Sequence, residues 1–121
     1  MYDNIRTIRG VGLNEIRKAA ITAIREGRVQ HEFRNVVDEK NLFLTGEVTP
    51  EQVIHMLNAC KGGQHESSPH HAVKDVEVHI FKPELSLEKG APKQKWYIKL
   101  YLLDPDIWFI SVHEAQKGVS R

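Results

Sequence analysis

Two stretches near the carboxyl end of the chain have the pattern of β-strands: Trp96–Leu103 (WYIKLYLL) and Ile107–His113 (IWFISVH), joined by Asp104-Pro105-Asp106. In each stretch apolar and polar side chains alternate, which is the period of a half-buried β-strand. The short connection predicts an antiparallel hairpin. Its apolar face is expected to hold Trp96, Ile98, Leu100, Leu102, Trp108, Ile110 and Val112. Its other face is expected to carry Tyr97, Lys99, Tyr101, Ser111 and His113.

The connection also predicts a register for this hairpin. Three connecting residues give the pairs Leu103–Ile107, Tyr101–Phe109, Lys99–Ser111 and Tyr97–His113. Opposed side chains have Cβ atoms about 5 Å apart, so a phenol, an imidazole and an ammonium group would lie close together. Two interpretations remain open. The polar face is either an ordinary solvated sheet surface, on which all these residue types are common, or a surface that does acid–base chemistry.

Composition limits the class of protein. The chain has 121 residues with 40% hydrophobic and 27% charged residues, which predicts one globular domain over residues 1–121. Its net charge of +1 is not the strong basicity of a dedicated nucleic-acid binder, although basic residues crowd the first third. The polar segments 1–11 and 116–121 are expected to be mobile ends.

The cellular compartment is predicted from what the sequence lacks. Cys60 is the only cysteine, so no disulfide can form within the chain, as is typical of a reducing compartment. No apolar run approaches the length of a membrane span, and Met1–Arg6 lacks the hydrophobic stretch of a signal peptide. We expect a cytoplasmic protein that does not bind a membrane.

Helix patterns precede the hairpin. Apolar residues recur at helical spacing from Asn14 to a stop at Gly27. Residues 28–45 are ambiguous, and Asn41–Gly46 is predicted to be a short strand or extended loop. Thr49-Pro50-Glu51-Gln52 has the form of a capping box with proline in the first turn, and predicts a helix that runs to about Cys60.

The segment after this helix is predicted to be a loop over residues 62–71, followed by a strand from Lys74 to Phe81. In that strand Val76, Val78 and Ile80 are expected to face inward, and Glu77, His79 and Phe81 outward. The predicted fold class is therefore α+β: two or three N-terminal helices packed on one face of a small antiparallel sheet of three to four strands.

Several kinds of chemistry are considered for these residues. If the Lys74–Phe81 strand pairs with the hairpin, His79 joins Tyr97, Lys99 and His113 on one face. Such a set suits phosphodiester cleavage without a metal, because one group takes a proton from a 2′-hydroxyl, another protonates the leaving oxygen and a cation stabilises the phosphorane. Serine hydrolysis is disfavoured because no nucleophile elbow is present, and no glycine-rich nucleotide loop follows a strand.

Other histidines are considered as further contacts for the same substrate. His70 or His71 is expected to reach over the sheet face as a substrate contact, and His71 is the one chosen as a site residue. His31 and Arg34 lie one turn apart if their segment is helical, and face either the same surface or solvent. The spacing within His65–His71 fits no well-formed zinc pattern, so no metal or other cofactor is predicted, and metal-dependent activity through this segment is kept as a third alternative.

The residues of the hairpin resemble a known family. Trp96-Tyr97-Ile98-Lys99-Leu100, followed by Phe109-Ile110-Ser111-Val112-His113-Glu114, is similar to the closing hairpin of RelE-fold ribonuclease toxins, and most similar to the MqsR-like group. On this resemblance Tyr97 matches the functional tyrosine and His113 takes the place of the catalytic lysine. The family's central Lys-Ser-Met-Thr-Thr run is missing, and Ser67-Ser68-Pro69-His70-His71 occupies that region.

The resemblance implies a metal-independent endoribonuclease that acts as a growth-arresting toxin. Its catalytic residues would be His113, Tyr97 and Lys99. Its substrate-binding residues would be Arg34, His79, His71, His31 and Tyr101. The expected partners are RNA and a neutralising antitoxin or other protein. The alternative is a non-catalytic binding module or inhibitor with a toxin-like fold, which would use the sheet face or a strand edge to dock a protein.

Overall fold

The computed structural model describes residues 12–33 and 40–115. The predicted mobile ends and Arg34 lie outside these residues. The helices are α1 (Leu13–Glu26), α2 (Leu42–Thr45) and α3 (Pro50–Ala59), and a 3-10 turn spans Gly62–Gln64. The strands are β1 (Val29–His31), β2 (His65–Pro69), β3 (Glu77–Phe81), β4 (Glu84–Leu85), β5 (Gln94–Leu103) and β6 (Asp106–Glu114). No described helix is long and apolar enough to cross a membrane.

The strands form a mixed six-stranded sheet in the order β1-β6-β5-β3-β2, and β4 pairs with the start of β5. The β1–β6 pair is parallel, and the remaining pairs are antiparallel. The predicted α+β class is confirmed, although the sheet has more strands than the three or four expected. The additional ones, β1, β2 and β4, have five residues or fewer and carry little strand-like alternation in the sequence.

The helices pack on one side of this sheet, called here the helix face. α1 buries Ile16, Ala20, Ile21 and Ala23, and α3 buries Val53, Met56 and Leu57. The sheet contributes Phe81, Ile98, Leu100, Ile107, Phe109 and Val112 to the same core cluster. Burying a side chain of this size stabilises the fold by about 1.5–3 kcal/mol, so this layer carries most of the packing energy. The opposite side is called the distal face.

The two longer helices begin and end as their sequences predict. Thr49 Oγ1 accepts from the Gln52 backbone N–H and the Gln52 side chain accepts from the Thr49 backbone N–H, so the capping box at α3 is confirmed. Gly27 closes α1 with a φ of 76°, a left-handed conformation that suits glycine.

The prediction of a strand or loop at Asn41–Gly46 is wrong, because Leu42–Thr45 form one helical turn. Asn41 caps it: its side-chain oxygen accepts from the backbone N–H groups of Phe43 and Leu44, at 3.1 and 3.0 Å. Asparagine favours such caps because its short side chain replaces the missing helical acceptor.

The hairpin register is confirmed in one half and wrong in the other. Tyr97 faces His113 and Lys99 faces Ser111, as predicted. Beyond Lys99 the register shifts, so that Tyr101 faces Trp108 and Leu103 faces Asp106. The connection therefore has two residues instead of three, and Ile110 is the extra residue of a β-bulge. Phe109 consequently lies on the helix face, and Trp108 on the distal face.

The predicted facing of β3 is also wrong. His79 pairs with Leu100 and Phe81 with Ile98, which places both on the helix face. Val78 lies on the distal face, in a second apolar cluster with Val76, Tyr101 and Ile110. Because both faces of β3 are covered by apolar residues, alternation could not show which side packs against the helices.

The predicted loop at residues 62–71 contains a strand. Within it, β2 pairs along its whole length with β3, from His65 opposite Phe81 to Pro69 opposite Glu77. Its sequence, HESSP, is polar because β2 is the outermost strand on its side of the described sheet and most of its side chains are exposed. An edge strand of this composition resembles a loop in sequence.

Candidate functional site

The distal face collects most of the predicted acid–base groups. Tyr97 and His113 are paired across β5 and β6, and their rings stack with centroids 5.0 Å apart at an interplanar angle of 25°. Both side chains are half-buried. The pairing follows from the antiparallel register between the bulge and the open end of the hairpin. The sheet, and not a loop, therefore fixes the position of each ring.

The two nitrogens of His113 have different surroundings. Nδ1 lies 2.9 Å from the backbone carbonyl oxygen of Glu114, which can only accept, so Nδ1 carries the proton that is donated. In neutral His113, Nε2 is then a hydrogen-bond acceptor. This atom is buried and has no hydrogen-bond partner among the described residues. A buried polar atom without a partner is unfavourable by about 1–3 kcal/mol, and a donor supplied by a ligand or by water would remove this cost.

Cationic groups lie next to this pair. Lys99 is half-buried beside Tyr97 on β5, opposite the fully buried Ser111. Lys82 follows Phe81 and, by alternation, points to the distal face, where it forms an ion pair with Glu66 at 2.6 Å. That ion pair is exposed and therefore adds little stability. The distal face thus offers an imidazole, a phenol and two ammonium groups within a few strand positions.

A second polar cluster occupies the other end of the distal face. Glu32 Oε1 accepts from the hydroxyl of Tyr101 at 2.6 Å and from Nε2–H of His70 at 3.2 Å. Nδ1 of His70 accepts from the backbone N–H groups of Ala72 and Val73, both at 3.0 Å, which fixes the neutral tautomer with the proton on Nε2. This cluster holds the 70–76 segment against the sheet.

The positions of His71 and Tyr101 differ from those expected of the substrate-binding residues that they were predicted to be. Tyr101 is only 4% exposed and its hydroxyl is directed to Glu32, so its position is that of a buried structural tyrosine. His71 is exposed and its ring stacks on that of His70, with centroids 5.0 Å apart. Tyr101 lies four residues from Tyr97 along β5, or about 13 Å. His71 thus borders the same face at some distance from His113.

The prediction that His79 lies on the Tyr97 surface is wrong. His79 is 3% exposed on the helix face, and its Nδ1 is 3.0 Å from Nε2 of His65. Burial lowers the pKa of His79 from 6.5 to about 4, and the neighbouring His65 acts in the same direction. Burial also lowers the pKa of His65, with a smaller contribution from the charge on Arg17. This is a neutral hydrogen-bonded pair inside the fold.

His31 is likewise separated from the distal face. In β1 it pairs with Phe109, and its ring contacts those of Phe43 and Phe109 on the helix side. Its Nδ1 accepts from the side-chain amide of Asn41 at 3.0 Å, and burial lowers its pKa. The sequence left residues 28–45 ambiguous between helix and strand, and the structure places His31 in a strand.

Sequence reasoning missed Glu32 and chose His71 over His70. Alternation in β1 puts Glu32 on the side opposite to His31, but a three-residue strand gives too short a pattern to predict this. Nothing in the sequence distinguishes His70, which is buried, from its exposed neighbour His71.

No group of three or more His, Cys, Asp or Glu side chains is arranged to hold a metal ion within 12–33 and 40–115. The histidines of segment 65–71 are divided between the two faces, since His65 pairs with His79 and His70 with Glu32. The alternative of metal-dependent activity through this segment therefore gains no support from the geometry.

A scan against protein-family models found no match, and searches of curated proteins and of solved structures found no similar protein.

Proposed function

We propose that this chain is a metal-independent endoribonuclease of the growth-arresting toxin type. The observation that carries the proposal is the acceptor nitrogen Nε2 of His113, which is buried beside the ring of Tyr97 and has no hydrogen-bond partner among the described residues. A 2′-hydroxyl that donates to Nε2 would supply the missing hydrogen bond. The same contact is the first step of general-base catalysis.

In the proposed reaction, Nε2 of His113 takes the proton of the ribose 2′-hydroxyl, and the 2′-oxygen attacks the adjacent phosphorus. The bond from phosphorus to the 5′-oxygen breaks, and the Tyr97 phenol protonates that leaving oxygen. Lys99, one pair along the hairpin, stabilises the negative charge of the phosphorane. The products are a 2′,3′-cyclic phosphate and a 5′-hydroxyl. Since Nε2 is covered, a neighbouring side chain must move when RNA enters.

The test is RNA cleavage in the presence of EDTA by the full chain and two variants. His113→Ala is expected to reduce the cleavage rate by about 10²–10⁴-fold, the usual contribution of a general base. The matched control is His55→Ala, which replaces an exposed histidine on α3 and is expected to cleave at the wild-type rate. Cleavage by His113→Ala at the wild-type rate would remove His113 from the mechanism.

The second candidate function is a non-catalytic module that binds a protein through β2. This strand is the last on its side of the described sheet, and residues 66–69 are exposed, so a partner strand could add to its edge. Intact RNA in the EDTA experiment, together with unimpaired growth on expression, would favour this candidate over the ribonuclease.

A further inference from the structure

A basic cleft lies on the helix layer, away from the distal face. It runs between α1 and α3 and has a volume of about 390 Å³. Its polar lining consists of Asn14, Arg17, Lys18, Thr22, Arg25 and Asn58. Its apolar lining residue, Ile21, is only 9% exposed. Three cations, two amides and a hydroxyl therefore meet at one place, and no carboxylate lines the cleft among the described residues.

The cations are aligned along α1. Asn14, Lys18, Thr22 and Arg25 recur at steps of three and four residues, so they follow one side of the helix. Lys18 and Arg25 are seven residues apart, which corresponds to about 10.5 Å along the axis. Both are exposed, and within 12–33 and 40–115 neither takes part in an ion pair. Their charges are therefore not neutralised by the described part of the fold.

Arg17 provides a fixed cation in the wall of the cleft. Its Nη2 donates to the backbone carbonyl of Cys60, and its Nη1 donates to Oδ1 of Asn14 at 3.4 Å. Its Nε is buried and has no hydrogen-bond partner among the described residues. A guanidinium group held in this way loses little further conformational entropy when it binds an anion.

We infer that this cleft binds the phosphate backbone of a nucleic-acid strand such as single-stranded RNA. Phosphate oxygens accept from guanidinium, ammonium, amide and hydroxyl groups alike, and these are the groups of the cleft. A membrane surface is a poorer fit, because a peripheral helix needs exposed apolar side chains beside its cations and Ile21 is buried. The inference does not depend on the catalytic proposal, since the cleft and His113 lie on opposite sides of the sheet.

The experiment is fluorescence anisotropy of a labelled 2′-O-methyl RNA strand of about twelve nucleotides, which spans a typical single-strand site and cannot undergo 2′-hydroxyl attack. The double variant Lys18→Glu/Arg25→Glu is expected to raise Kd about tenfold or more. The slope of log Kd against log salt should fall by about 0.7 for each phosphate that the variant no longer neutralises. Lys89→Glu/Lys93→Glu, with the same charge change at exposed loop positions, is the matched control and should bind as the wild type does.

Equal weakening by both double variants would overturn the inference, because it would show a dependence on net charge alone. Absence of RNA binding by the wild-type chain would also overturn it, as would binding to phosphatidylglycerol vesicles but not to RNA. Lys18→Gln/Arg25→Gln, which adds no negative charge, should weaken binding less but in the same direction. Wild-type RNA binding with no cleavage of ordinary RNA would contradict the ribonuclease proposal and leave the cleft assignment intact.

Discussion

At the scale of single residues, burial assigns different chemistry to histidines that look alike in the sequence. His79 and His65 form a neutral pair on the helix face, whereas His113 presents an acceptor nitrogen on the distal face. His70 is held as a neutral donor to Glu32. The three environments differ in which nitrogen is protonated, and that difference determines which histidine is suited to take a proton from a substrate.

The His79 environment predicts a pH dependence of stability. The pKa of His79 is about 4 in the folded chain and 6.5 ordinarily, so between these values the unfolded chain binds a proton that the folded chain does not. Stability is therefore complete above about pH 6.5 and is lost as the pH falls toward 4. From about pH 7.5 to 4.5 the free energy of unfolding should fall by about 2–3 kcal/mol from this group.

Urea denaturation at the two pH values measures this decrease. His79→Leu should lose less stability on acidification than the wild type, while the exposed control His55→Leu should behave like the wild type. An equal decrease in the wild type and in His79→Leu would contradict the account of the buried pair.

At the scale of elements, local signals predicted those parts of the fold that depend on near neighbours in the chain. The capping box at Thr49 and the stop at Gly27 are examples, since each acts within one helical turn. The bulge at Ile110 could not be predicted in this way. It exists because both Phe109 and Val112 belong to the helix-face core, and two residues three apart cannot share a face of a regular strand.

The capping box predicts a measurable contribution to stability. Thr49→Ala removes the side-chain acceptor for the Gln52 backbone N–H, and should lower the free energy of unfolding by about 1 kcal/mol. Thr49→Ser keeps a hydroxyl and should stay close to the wild type. Urea denaturation of the three proteins measures the difference. If Thr49→Ala were as stable as Thr49→Ser, the capping bond would not contribute to stability.

At the scale of the whole molecule, the fold class could be predicted because helical and strand periods occupy separate parts of the chain. The arrangement of the candidate site could be predicted only in part. The shared face of Tyr97, Lys99 and His113 could be predicted because these residues follow one strong alternating pattern, in the half of the hairpin where the predicted register is confirmed. His79 and His31 were assigned to the wrong face because β1 and β3 each carry too short a pattern to orient them relative to the helices.

The proposed reaction is cleavage of RNA by 2′-hydroxyl attack without a metal. It is tested most directly by mass spectrometry of the ends produced when the purified full chain acts on RNA in EDTA. We expect fragments with 2′,3′-cyclic phosphate and 5′-hydroxyl ends, and no fragments from the same sequence made with 2′-deoxyribose. Intact RNA, or fragments that end in 3′-hydroxyl and 5′-phosphate groups, would contradict it.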